Sequence, residues 1–460
     1  MLITNKSTIK PHQMKIKQFF DEGLAHASYV LVVNGEAVVI DPARDPQPYY
    51  DYVEQQGAEW KAIIETHPHA DFVSAHLEMH ETTGVPILVS RKVGAAYPHQ
   101  SFDGGKTFSV GDCTLTALDT PGHSPDGISI LLTDQAGRQV AVFTGDTLFV
   151  GNVGRPDLRE SGGDADSQKE QLARAMYGSL RQVLMPLSPE AIVYPAHGAG
   201  SLCGKGLSDE RSSTIGKERK ENPALQPMSE DAFVEWLLQD QPFIPKYFPY
   251  NVDVNKQGAP ALAPSLAEVD RKGYDFKLRD KKPTIIDSRD EASFKLGHLA
   301  GAINIQDGNK FETWLGVLVA PRTPFVLIAK DEDSLDKVIR KSAKIGYEGF
   351  ISVAFTQYEA AAEASLPPIN LADFRQNPDA FTIVDIRNAS EVAKGKFFNS
   401  AINIPLPELP DRTDEIPTDK PVVIHCTSGY RSAVGSSIVA AKLGSNTKVF
   451  DLSEAVNSFK

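Results

Sequence analysis

Cysteine is scarce: Cys113, Cys203 and Cys426 are the three in 460 residues. An odd and sparse set cannot build a disulfide framework, which fits a reducing compartment and leaves each thiol to be judged by itself. Long apolar runs are missing too. No segment approaches the roughly 18 apolar residues of a membrane span, and the N-terminal stretch lacks the uninterrupted apolar core of a signal peptide. A cytoplasmic protein without membrane contact is the expectation. Basic charge is in deficit, with 47 Lys and Arg against 60 Asp and Glu, a net charge of -13. Such a surface repels nucleic acid and anionic membranes on average, although a local basic pocket is compatible with it. Apolar residues, at 41 %, are ample, and the length exceeds what one core can serve, so several domains are predicted.

The chain changes character twice. From Tyr29, the run YVLVVNGEAVVIDPA sets two β-rich segments around Asn34-Gly35, a hairpin signal. Short apolar strands follow, each ending in a polar cluster: KAIIE before THPHAD, CTLTALD before TPGHS, QVAVFTGD, and AIVYPAHG. Helical stretches such as Ser167 to Leu184 lie between them, so this region reads as sheets covered by helices, with chemistry on loops at strand ends. It extends over residues 1–262. The segment QPFIPKYFPYNVDVNKQGAPALAP reads as an ordered connector. Behind it is an internal repeat: PTIIDSRDEASFKLGHLAGAINI returns as FTIVDIRNASEVAKGKFFNSAINI, and PFVLIAKDEDS returns as PVVIHCTSGYRS. Two α/β domains, 263–362 and 363–460, each with a small parallel sheet, are the economical reading.

In the first region the polar clusters form a spaced set: His67, His69 and Asp71, then His123, Asp146 and His197. A lone histidine is usually a hydrogen-bonded structural residue. Four of them with two aspartates, nearly all directly after predicted strands, make a metal site. One position is anomalous, because Phe72 stands where an H-x-H-x-D-H motif would place its last histidine, and a phenyl ring has no lone pair to offer a metal.

These residues resemble the metallo-β-lactamase superfamily over residues 1–262, which implies an αββα sandwich. In its two-metal members the second site needs the histidine that Phe72 replaces. The remaining set resembles the persulfide dioxygenase branch, and the resemblance implies one Fe(II) per chain held by His67, His123 and Asp146, with open positions for O2 and a sulfur substrate. His69, Asp71 and His197 then orient ligands or solvent, although spacing alone allows His69 to bind the metal. Arg155, in GRPDL, is a candidate for a substrate carboxylate or for an ordinary salt bridge. Tyr194 and Cys203 are placed on the same rim. Cys203 reads either as an inert buried thiol or as a contact for a persulfide.

The second repeat contains VVIHCTSGYRSAVG, where an apolar strand delivers Cys426 into a loop that closes on Arg431 and enters a helix. A helix N-terminus with free N–H groups stabilises a thiolate or bound anion. The motif resembles the active loop of rhodanese sulfurtransferases. Related phosphatase loops carry one more residue between cysteine and arginine, so the shorter cradle favours sulfur transfer, with Cys426 and Arg431 as its catalytic pair. The first repeat sets Lys330 against Cys426, with Asp331, Glu332 and Asp333 after it, and no cysteine lies between 204 and 425. It is expected to be a spacer or docking domain.

The domain order resembles bacterial persulfide dioxygenase–sulfurtransferase fusions. That implies oxidation of a low-molecular-weight thiol persulfide by O2 to sulfite, and transfer of sulfane sulfur through Cys426 to give thiosulfate, in sulfide detoxification. A homo-oligomer, dimer or tetramer, is the expected assembly. The alternative from another class is a dizinc thiolester hydrolase of glyoxalase II type fused to rhodanese-like modules, and a third reading makes both rhodanese-like units interaction modules.

Overall fold

The computed structural model describes residues 14–158, 165–273, 283–356 and 362–459. The chain divides into two units, Met1–Ile244 with Phe248–Leu262, and Pro245–Tyr247 with Ala263–Lys460.

In the first unit β1 (Met14–Asp21), β2 (His26–Val33) and β3 (Glu36–Ile40) pair antiparallel, and β4 (Glu59–Ile64), β5 (Ile87–Val89) and β6 (Gln100–Ser101) continue the sheet in parallel. The hairpin between β2 and β3 turns at Asn34-Gly35, whose φ angles of 50° and 87° are both positive, as a tight two-residue turn between twisted strands requires. The strands β7 (Thr107–Val110), β8 (Cys113–Asp119), β9 (Ile128–Thr133), β10 (Gln139–Gly145), β11 (Ile192–Pro195) and β12 (Ser213–Thr214) form a second mixed sheet in the order β12-β11-β10-β9-β8-β7.

Why β2 is buried along its whole length follows from its alternation. Tyr29, Leu31 and Val33 point between the sheets, where they meet Leu115, Ala117, Ile130 and Phe143. Val30 and Val32 point the other way, packing with Tyr49, Val53 and Met79 of the helices Gln47–Gln56 and His76–Thr83. Across the molecule Val142 and Val193 meet Ala173, Met176, Phe233 and Leu237 of the helices Ala165–Gly178 and Glu230–Leu238. Four layers result, helix, sheet, sheet, helix, each apolar face buried at about 1.5–3 kcal/mol per large side chain. The predicted helix from Ser167 to Leu184 is regular to Gly178 and then widens into a π-helical turn, Ser179–Leu184.

The segment read as an ordered connector has secondary structure of its own. It contains a helix, Phe248–Gln257, whose Asn251 and Asn255 are buried and which belongs to the first unit.

The second unit holds two parallel sheets. The strands β13 (Arg271–Lys272), β14 (Thr284–Asp287), β15 (Ala302–Asn304), β16 (Phe325–Ala329) and β17 (Ile351–Thr356) run in the order β13-β17-β16-β14-β15. The strands β18 (Thr382–Asp385), β19 (Ile402–Asn403), β20 (Val422–His425) and β21 (Val449–Asp451) run in the order β19-β18-β20-β21. β15 is an edge strand, and the helix Tyr430–Leu443 of the second repeat covers it: Asn304 N donates to Ser437 Oγ at 2.9 Å, and Ala440 packs on the first repeat's core. Tyr430 Oη also donates to Gln306 O at 2.9 Å. Among the described residues no helix is long and apolar enough to cross a membrane.

Candidate metal centre and cysteine loop

The metal motif lies on the ends of four strands. β4 runs into the loop with His67, His69 and Asp71, β8 into the TPGHS loop with His123, β10 into Asp146, and β11 into His197. All six residues are at most 4 % exposed. The ligand atoms of His67, His123 and Asp146 lie within 4.8 Å of one another. His67 Nε2 and His123 Nε2 stand 3.7 and 3.4 Å from Asp146 Oδ2.

Hydrogen bonds on the far side of each ring decide what these nitrogens can do. Thr66 Oγ1 donates to Asp41 Oδ2 at 2.8 Å, so its lone pair accepts from His67 Nδ1 at 3.0 Å. His123 Nδ1 donates to the carbonyl of Arg155 at 2.8 Å. Both rings therefore carry their proton on Nδ1 and present a lone pair on Nε2. Asp146 Oδ2, buried, has no hydrogen-bond donor. Two imidazole nitrogens and a carboxylate oxygen converging within 4.8 Å of one another are a donor set that fits a metal ion.

His197 does the opposite. Its Nδ1 reaches Asp146 Oδ1 and its Nε2 reaches Asp71 Oδ2, both at 2.7 Å, so both nitrogens donate. Burial opposes the charge this requires, but the two carboxylates outweigh it and hold the imidazole well above its usual range. Burial likewise works against the Asp146 carboxylate, and the His197 imidazolium outweighs it, holding the group well below the ordinary value. His69, Asp146 and His197 also lie close enough to suggest a second metal group. In this arrangement, however, His197 has no lone pair left for an ion. Phe72, 1 % exposed, fills the adjoining space, its ring centroid 3.8 Å from that of His26 and 4.5 Å from that of His69. His69 has neither ring nitrogen hydrogen-bonded; its nearest carboxylate oxygen is Asp41 Oδ1 at 3.4 Å.

Two rim residues change role. Arg155 is 1 % exposed, its guanidinium clamped by Asp157 through two 2.6 Å bonds and by the carbonyls of Leu202 and Phe243 at 3.3 Å. It is not available to a substrate carboxylate; its carbonyl orients His123, and its N–H donates to Cys203 O at 3.0 Å. Tyr194 is half-buried and packs against the cluster between the sheets, stacked on Phe143 at 5.4 Å and beside Tyr29, so its ring is turned to the core and not to the rim. Cys203 does adjoin the site, grouped with Asp71 and His197. Burial, reinforced by the charges of Asp71 and Asp146, pushes its thiol well up, so it is held protonated.

Several participants escaped the sequence reading. Asp41 sits with a positive φ of 52° and accepts from both the N–H and the hydroxyl of Thr66. Asn255, on the supposed connector, donates to His69 O and Phe72 O at 2.8 and 2.7 Å and accepts from Ser74 N at 2.8 Å, pinning the whole HPHADF loop. His26 is buried over Phe72. Gly154 passes so close that a Cβ there would lie 2.0 Å from the Asp146 carbonyl. The helix carrying Asn255 had no periodic apolar face to announce it.

The cysteine loop spans four residues, Cys426 to Gly429, between β20 and the helix Tyr430–Leu443. Gly429 N donates to Cys426 Sγ at 3.2 Å, which requires the positive φ of 99° at Gly429; a Cβ would meet Ser453 Oγ at 2.9 Å. Arg431 does not close freely over an anion. Its guanidinium makes a two-point bridge to Glu391 at 2.6 and 2.8 Å and reaches Thr427 Oγ1 at 3.5 Å, so it fixes the loop's shape. In the first repeat the strand register, Asp287 beside Ile328 as Asp385 is beside His425, sets Ala329 and not Lys330 against Cys426.

The comparisons with known proteins agree with this division. The metallo-beta-lactamase superfamily matches residues 21–197, and the rhodanese-like domain matches 274–354 and 370–460. The solved metallo-beta-lactamase from Staphylococcus aureus subsp. aureus COL is 31% identical with a TM-score of 0.68, over 74% of this chain and 99% of that one. The chain belongs to the metallo-β-lactamase superfamily and carries two rhodanese-like domains behind that fold. Over about half its length it is similar to a mitochondrial persulfide dioxygenase of Bos taurus, 27% identical over 52% of this chain and 84% of the relative. It is also similar to a hydroxyacylglutathione hydrolase of Haemophilus influenzae, 26% identical over 42% of this chain and 89% of the relative.

Proposed function

We propose that this is a cytoplasmic, mononuclear non-haem iron persulfide dioxygenase coupled to a sulfurtransferase. The observation that carries the reading is the contrast between one set of convergent acceptors, His67, His123 and Asp146, and a second set disabled by Phe72 and by the doubly donating His197. Two imidazoles and one carboxylate suit Fe(II) with open positions. The likeness to a persulfide dioxygenase supports the same choice.

Bound there, Fe(II) would supply O2 activation beside the substrate sulfur. The chain's own part is positional. Thr66 and the Arg155 carbonyl fix both imidazole tautomers, and the His197 imidazolium takes up the second oxygen of Asp146, leaving Oδ2 for the metal. Phe72 and His26 keep the adjoining space apolar and closed. The net reaction is R–S–SH + O2 + H2O → R–SH + SO3²⁻ + 2H⁺. In the second repeat Cys426 carries sulfane sulfur, and sulfite takes it: Cys426–S–S⁻ + SO3²⁻ → Cys426–S⁻ + S2O3²⁻.

Metal analysis with oxygen uptake tests this. About one iron per chain is expected, with both iron and uptake lost in His123→Ala and Asp146→Ala. Two tightly held zinc ions with hydrolysis of a glutathione thiolester would overturn it in favour of the hydrolase.

A further inference from the structure

An open cavity of about 460 Å³ adjoins the cysteine loop through Thr427, lined also by Arg387, Glu391, Lys394, Lys396 and Phe397. Its charges do not cancel. Arg387 is bridged to Asp385 at 2.6 Å, and Glu391 is bridged to Arg431 at 2.6 Å. Lys394 and Lys396 are exposed, and neither ammonium has a hydrogen-bond or ion-pair partner among the described residues. The cavity thus carries two uncompensated positive charges on a chain of net charge -13. One wall is rigid and apolar: the Phe397 ring lies under the Arg387 guanidinium at 4.6 Å and against the His425 ring at 5.6 Å.

The cysteine-free repeat supplies an internal control. Arg289 donates to Gly297 O as Arg387 donates to Gly395 O, which puts the two glycines in correspondence. Where Lys394 and Lys396 flank Gly395, the first repeat has Leu296, 84 % exposed, and His298, buried and stacked on Phe294 at 3.9 Å. The cation pair occurs beside the cysteine and is missing from the repeat that has none.

We infer that this cavity binds the anionic end of a low-molecular-weight thiol, one bearing carboxylate or phosphate groups several bonds from its sulfur, and that the persulfide of this thiol is the sulfur donor to Cys426. Sulfite and thiosulfate are far smaller than the space, which lies in the size range of small-molecule sites. The inference rests on Cys426 being the sulfur carrier. In the step, the Cys426 thiolate attacks the terminal sulfur of R–S–SH; the Sγ–S bond forms as the donor's S–S bond breaks, giving Cys426–S–SH and R–S⁻. Electrons balance with no other reactant. The lysines hold the R group and Phe397 packs along its stem.

The test uses the full chain and follows Cys426 persulfide by mass spectrometry with three donors: glutathione persulfide, which bears carboxylates, coenzyme A persulfide, which bears phosphates, and the uncharged 2-hydroxyethyl persulfide. In the Lys394→Glu/Lys396→Glu double variant, the ratio of kcat/KM for an anionic donor to that for the neutral donor should fall at least tenfold, and Lys394→Arg/Lys396→Arg should restore it. A fall confined to one anionic donor identifies carboxylate or phosphate as the recognised group. An unchanged ratio, with wild-type Cys426 still loaded, overturns the cavity's role while leaving the carrier intact. If no donor loads Cys426 in the wild type, the carrier reading fails and this inference fails with it.

Discussion

In both rhodanese-like repeats an aspartate at the end of a strand, β14 or β18, grips an arginine two residues on, Asp287 with Arg289 and Asp385 with Arg387. In both, an asparagine amide, Asn304 or Asn403, donates to the carbonyls of that pair. The frames diverge where the central strand meets its helix. The second repeat inserts four residues there and keeps a sulfur against a backbone N–H. The first has two, Lys330 and Asp331, and Asp331 Oδ1 accepts from Ser334 N at 2.8 Å, so a carboxylate already caps the N–H groups that a thiolate or sulfite would need. Losing the cysteine was one change of several; the cradle itself is closed.

The largest test of this contrast pairs a loss with a failed gain. Cys426→Ser should cut thiosulfate formation by about a thousandfold or more, since an alcohol cannot carry sulfane sulfur, while oxygen uptake on a persulfide continues and sulfite accumulates. Ala329→Cys, which puts a thiol at the matching position of the first repeat, should restore none of it. Thiosulfate and sulfite assays on both variants decide the matter, and any transfer by Ala329→Cys would show that the capped loop is competent.

Alkylation ranks the thiols next. Burial, with Asp112 adding to it, pushes the Cys113 thiol up to about 11, so at pH 8 only about one molecule in a thousand is thiolate there, and its labelling should rise about tenfold per pH unit until that value. Cys203 is suppressed in the same direction by burial and two carboxylates. Cys426 should therefore label first at neutral pH in timed peptide mapping. Earlier labelling of Cys203 would move the reactive thiol into the metal-binding domain.

A smaller effect is expected from Gly429→Ala. An L residue at φ 99° is strained by about 1–2 kcal/mol, and its Cβ would press on Ser453. Sulfur transfer should drop about tenfold or more, and the unfolding midpoint should shift down. Wild-type transfer in this variant would mean that the N–H to sulfur bond is dispensable. Smallest is Tyr430→Phe, which removes the bond to Gln306 O at a cost of about 1 kcal/mol. Thermal unfolding should register it while transfer changes by less than about threefold; a larger loss of transfer would make the first repeat part of the catalytic apparatus.

Much of this was legible in the sequence because the chemistry sits at strand ends, where short apolar runs and polar clusters alternate. His67, His123, Asp146 and Cys426 could be picked out by that punctuation. What could not be read was support arriving from far along the chain. Asn255 is 186 residues from His69, whose carbonyl it holds, and Glu391 is 40 residues from Arg431. Local periodicity carries no trace of such pairings. Arg155 and Tyr194 misled for a related reason: a position near a motif says nothing of which way the side chain turns, and both turn inward. The repeat alignment slipped by one residue at Lys330: the strand register, like the ungapped run from Pro324 and Pro421, sets Ala329 against Cys426.

The bond from Asn304 N to Ser437 Oγ makes one amide a gauge of how the repeats are joined. Ile305 N points inward, to Asp287 O of the neighbouring strand, whereas the Asn304 N–H points out from the sheet edge and is shielded by a hydroxyl belonging to the helix Tyr430–Leu443. Its exchange with deuterated solvent is then limited by separation of that helix from the first repeat, while the exchange of Ile305 reports opening of the sheet itself. Comparing the two amides in the presence and absence of a persulfide donor would time how often the helix behind Cys426 lifts off its neighbour as sulfur is loaded and released.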